Sequence, residues 1–88
     1  MKKIKHNPNP KKIKDALKKI IKEGATAKIE LVNGKKYLFF PFSISKEIFL
    51  GYDVDLVCGA TLTTKGLVKK ATGFFIPLIN SVEMLESN

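Results

Sequence analysis

At Gly24 the apolar period of this chain changes from that of a helix to that of a strand, and the change leaves few folds open. Upstream, Ile13, Ala16, Leu17, Ile20 and Ile21 fall at i, i+3, i+4, i+7 and i+8, a single stripe on a helix. Asn9-Pro10 supplies a start, since Asn caps free amides and Pro suits the first helical position, and Gly24 supplies a left-handed stop. The spacing predicts a helix over 10–23. Downstream, Ala27, Ile29 and Leu31 alternate with Lys28 and Glu30, the pattern of a strand with one wet face.

Asn33-Gly34 follows at once and favours positive φ at both central positions of a hairpin turn. The returning strand, 36–43, is apolar on both faces, with Tyr37 and Phe39 on one and Leu38, Phe40 and Phe42 on the other. Pro41 cannot donate a ladder bond and predicts an edge or a bulge. A third strand reads 47–52, after which Asp53 and Asp55 turn the chain and Val54, Leu56 and Val57 extend it. The segment 59–66, rich in threonine, reads as a flexible hairpin end. A fourth strand covers 67–76 with a break at Gly73, and a fifth covers 80–85 beyond a tight turn at Pro77. The expected class is mainly β with an N-terminal α-helix: a five-stranded antiparallel barrel over 26–86 and one domain over 10–88, preceded by a flexible basic arm at 1–9.

With 88 residues, folding hides only about 60 to 65% of the unfolded chain's surface, so the core is thin and a deep catalytic pocket within one chain is not expected. The net charge of +8 is unevenly placed. Residues 1–22 hold nine Lys and only Asp15, whereas residues 23–88 hold seven Lys and seven acids. An electrostatic partner should therefore meet the N-terminal segment. All the cations are Lys. A flexible ammonium acts as a point charge and cannot make the bidentate fork used on base edges, which argues against reading a base sequence.

On the helix, Lys11, Lys14, Lys18 and Lys22 project on one flank of the stripe and Lys12 and Lys19 on the other, with Asp15 in reach of Lys19. This is either a solvated face or an anion-binding one. A single Cys58 leaves no intramolecular disulfide and suits a reducing, cytoplasmic setting. The charged start lacks the apolar stretch of a signal peptide, and the longest apolar runs are far short of a membrane span, so a membrane partner is not expected.

A helix followed by five short, bent antiparallel strands, the last two joined by a tight turn, resembles the Sm-like (SH3-like) small β-barrel. Ile29-Glu30-Leu31-Val32-Asn33-Gly34-Lys35 looks like the first Sm hairpin. That resemblance implies a ring that binds single-stranded RNA, but Ser43-Ile44-Ser45-Lys46 and Pro77-Leu78-Ile79-Asn80 stand where the family carries its RNA residues and differ from its motif. Over 26–85 the order of Pro41-Phe42-Ser43-Ile44, Ile48-Phe49-Leu50-Gly51-Tyr52-Asp53, then Phe74, Ile79 and Val82 resembles the WYL domain, with Ile48-Phe49-Leu50 in place of Trp-Tyr-Leu. This resemblance implies a ligand or nucleic-acid sensor. The arginines that family carries near its final strand are absent.

No catalytic residue, metal site or cofactor is expected. His6 lacks Cys or carboxylate neighbours at ligand spacing, Cys58 beside Gly59 reads as a small buried residue, and Asp53 and Asp55 lack the spacing of a calcium loop. The expectation is a non-enzymatic module that binds nucleic acid weakly and without sequence preference. Its contacts would be Lys11, Lys14, Lys18 and Lys22, with Lys2, Lys3 and Lys5 as an arm. The rival expectations are an oligomeric scaffold or protein-interaction subunit, and a WYL-like small-ligand sensor. Homo-oligomerisation is expected through Leu38, Phe40 and Phe42, because a thin barrel has only one inside.

Overall fold

A computed structural model describes residues 9–85. Residues 1–8 of the proposed arm, including Lys2, Lys3, Lys5 and His6, lie outside the described residues, and Asn9 belongs to the start of the helix.

The helix α1 spans Pro10–Glu23. Asn9 starts it through its carbonyl, which accepts from the amides of Lys12 at 3.1 Å and Ile13 at 3.3 Å, and its side chain makes no capping hydrogen bond. At the far end Gly24 is left-handed, with φ 63°. The amides of Gly24 and Ala25 donate to the carbonyls of Ile21 and Ile20, the two bonds of a Schellman motif. Leu17 and Ile20, the middle of the stripe, are buried against the sheet, while Ile13 packs at its margin.

Five antiparallel strands follow: β1 (Thr26–Leu31), β2 (Lys36–Phe49), β3 (Tyr52–Leu62), β4 (Val68–Phe75) and, after a 3-10 turn at Ile76–Leu78, β5 (Ile79–Leu85). They form a single sheet in the order β4-β3-β2-β1-β5. The sheet is open, which corrects the expected closed barrel: β4 and β5 are its two edges and are not paired with each other. The 3-10 turn carries the chain across the end of the core and lays β5 against β1, with Ile29 opposite Val82. Side chains cover the core instead. Leu17 and Ile20 lie over Ile29, Phe39, Val57, Ile76 and Ile79, and the ring of Phe74 stands against Phe39 and Tyr37, with centroids 5.0 and 5.3 Å away.

Pro41 lies at a break in the β2–β3 register between Pro41 and Ser43, as a strand proline should. Opposite it, Gly59 has no room for a side chain: a Cβ would meet the Phe40 carbonyl oxygen, Phe39 Cζ at 2.8 Å and Pro41 Cα at 2.8 Å. Further register breaks at Glu30/Leu31 and Thr61/Leu62 leave Asn80 of β5 and Lys69 of β4 as the extra residues and add bends to those two edge strands.

The turns differ from the expected ones. Only Gly34 of the Asn33-Gly34 pair has positive φ, and the turn is a three-residue loop closed by Leu31 N to Lys35 O at 2.9 Å. The segment expected to be a flexible end is the end of β3 followed by a second loop of the same kind. There Thr63 N donates to Leu67 O at 2.8 Å, and Thr63 Oγ1 accepts from the amides of Lys65 and Leu67. Asp53 and Asp55 do not turn the chain but lie within β3. The reversal is at Leu50-Gly51, both with positive φ (52° and 84°), as a two-residue hairpin requires.

Candidate functional site

The lysines of α1 divide into two kinds. Lys11, Lys12, Lys18, Lys19 and Lys22 are exposed, and none has an ion-pair partner among the described residues. The pairing expected between Asp15 and Lys19 is not formed. Lys14 is half-buried, and its Nζ lies 3.2 Å from Asp55 Oδ2. Lys46 Nζ approaches the other carboxylate oxygen to 3.4 Å. Burial on its own would raise the Asp55 pKa, but the two ammonium groups outweigh it and hold the carboxyl below the ordinary value. Lys14 is thus committed to the fold and does not belong with the free cations of the helix, contrary to the expectation that grouped it with Lys11, Lys18 and Lys22.

The expected interface residues also separate. Leu38 and Phe40 are half-buried, whereas Phe42 is 57% exposed and its ring meets Phe40 edge-on at 5.5 Å. The larger apolar exposure lies elsewhere, at the β2–β3 tip, where Ile48, Leu50 and Tyr52 are each at least three-quarters exposed. Phe49 beside them is half-exposed and packs against Phe75 with the rings tilted by 42° and a centroid distance of 4.9 Å.

A site that sequence reading missed is an open-mouthed cavity of about 530 Å³. Lys28 of β1, Lys36 of β2, and Lys69 and Lys70 of β4 line it, with Tyr37 and Phe74 as an aromatic wall. Among the described residues no carboxylate lines it. The acids nearest in the ladder are Glu83 and Glu30, across the strands from Lys28 and Lys36, and they border a separate, smaller depression. Along the sequence these strand lysines are balanced by acids, so a net count hides them. Only the sheet register gathers one sign of charge at one place.

Cys58 is half-buried in β3. Among the described residues, no three His, Cys, Asp or Glu side chains are grouped so as to hold a metal ion, and no helix is long and apolar enough to cross a membrane. Comparisons with protein-family models, curated proteins and solved structures find no match. Of the expected small β-barrel, the structure bears out a small, five-stranded antiparallel β fold.

Proposed function

We propose that this chain is a non-enzymatic binding module for single-stranded nucleic acid, held by charge and indifferent to base sequence, working in a reducing cytoplasmic setting. The observation that carries this reading is that five of the six lysines of α1, namely Lys11, Lys12, Lys18, Lys19 and Lys22, face solvent without an ion-pair partner among the described residues. Such a row of hydrated point charges on a rigid helix suits a phosphate backbone and gives no means of reading base edges. The test is a titration of a labelled single-stranded oligothymidylate at several salt concentrations. Five contacts give a slope of log affinity against log salt near −3.5, from roughly 0.7 per contact. The triple variant Lys11→Glu, Lys18→Glu, Lys22→Glu should reduce that slope by about 2 and weaken all base sequences alike. Undetectable binding at low salt refutes this reading.

A second reading, a self-associating scaffold, is favoured by the exposure of Phe42 and of Ile48, Leu50 and Tyr52 at the hairpin tip. Its test is solution mass over a range of protein concentrations. A strictly monomeric mass at high concentration removes it.

A further inference from the structure

We infer that the cavity between β1, β2 and the β3–β4 hairpin is a nucleotide-unit site, in which Lys69 and Lys70 hold a phosphate and Tyr37, backed by Phe74, supports a base. This deepens the proposed function and rests on it. The sign of charge is the first argument: among the described residues four ammonium groups and no carboxylate line the space, so the favoured ligand is an anion. Lys28 and Lys36 each have a glutamate across the ladder, Glu83 and Glu30. Lys70 faces Thr61 across the ladder, and neither Lys69 nor Lys70 has an ion-pair partner among the described residues, so the uncompensated charge lies on the β4 side.

The second argument is size and wall. About 530 Å³ is far more than one oxyanion fills and lies within the range of roughly 300–1,000 Å³ for organic ligands. Tyr37 is half-buried and its ring is fixed by Phe74, which is itself held edge-on by the buried Phe39. A ring held in this way loses little freedom when a base stacks on it, and base stacking tolerates any sequence. Thr61, Thr64 and Thr72 add hydroxyls to the lining, which suits a sugar-phosphate better than an aliphatic acid. Lys69 and Lys70 are exposed and lie on an edge strand, so the fold does not need them.

The test uses the full chain carrying Tyr52→Phe, which leaves Tyr37 as its single tyrosine and no tryptophan, so intrinsic fluorescence reports on the cavity. Oligothymidylate should quench Tyr37 in step with binding measured by anisotropy. Two cavity contacts would steepen the parent's salt slope beyond the helix's value of about −3.5 by roughly 1.4, and the pair Lys69→Glu, Lys70→Glu should remove that share and lower affinity on the order of tenfold. Tyr37→Ala, with a melting curve taken alongside, should lower affinity at least about fivefold and leave the slope unchanged. Binding that persists with unquenched Tyr37, and with full affinity in the Lys69/Lys70 pair, overturns the cavity site and leaves the helix reading standing. Loss of affinity in the Lys69/Lys70 pair without Tyr37 quenching overturns the base-stacking assignment. Absence of any oligothymidylate binding by the parent chain overturns both.

Discussion

Lys14 Nζ lies 3.2 Å from Asp55 Oδ2, so a helix lysine and a strand carboxylate separated by 41 positions (55 minus 14) tie α1 to the β2–β3 hairpin. Two nearby helix lysines are thereby given opposite tolerances. Lys14→Glu places a carboxylate against Asp55 and should lower stability by about 1–2 kcal/mol, between the limits for exposed and buried pairs. Lys18→Glu, at an exposed position, should change stability by less than about 0.5 kcal/mol. Denaturant unfolding of the two variants checks the contrast, and equal midpoints would show that the ion pair contributes nothing.

Acid should dissolve the same link. The Asp55 carboxyl is held below its ordinary value of 3.8, with burial opposing and the two lysines prevailing. A carboxyl whose folded pKa is depressed adds stability that is complete above its unfolded pKa and is lost as pH falls through the lowered, folded one. The difference in Tm between the parent and Asp55→Asn should therefore be present at neutral pH and shrink as pH drops below 3.8. Two Tm curves running parallel down to the acid end would mean that Asp55 is not the group responsible.

Gly59→Ala should be among the most damaging single changes in the sheet. Its Cβ would collide with backbone atoms of Phe40 and Pro41 and with the buried ring of Phe39, none of them a flexible chain end that can yield. A cost of at least about 3 kcal/mol is expected, the upper end for overpacking. Gly73→Ala, which meets only the side chain of Leu56 at 3.3 Å, should cost less. Thermal melts of both variants decide the order.

Leu50→Asn should stabilise the protein. Leu50 has φ 52°, a left-handed conformation unfavourable for a branched aliphatic residue by roughly 1–2 kcal/mol, and its side chain is 82% exposed. Asn tolerates that conformation and removes an apolar group from the tip, so a gain of about 0.5–1 kcal/mol is expected. If the chain self-associates through the tip, the same variant should also shift its mass toward monomer. A lower unfolding midpoint would count against the strained turn.

Elements set by neighbours a few residues apart were legible in the chain. The stripe from Ile13 to Ile21, the Pro start and the Gly24 stop delimit the helix at Pro10–Glu23, and the alternation through Ala27, Ile29 and Leu31 marks β1. Pro41 announces the β2 bulge because its missing amide is a local fact. Local chemistry misled at Asp53 and Asp55, which look like turn formers: the reversal fell at Leu50-Gly51, where long-range pairing of β2 with β3 outweighs the poor fit of Leu to positive φ.

What the sequence by itself determined is the helix at Pro10–Glu23, a mainly β remainder of five strands and a concentration of lysines on α1, whereas the third strand expected at 47–52 is divided between the end of β2, the Leu50-Gly51 turn and the start of β3. The tertiary structure alone decided that the sheet stays open, that among the described residues Lys14 is paired while Lys18 is not, and that Lys28, Lys36, Lys69 and Lys70 share a cavity with Tyr37 and Phe74. The physical reason is range. Periodicity, capping and turn preference act over a few bonds and can be read residue by residue, whereas charge pairing and cavity lining depend on strand register and helix placement. Those follow from burying Leu17, Phe39, Val57 and Ile79 together, a condition on the whole chain that no short segment contains.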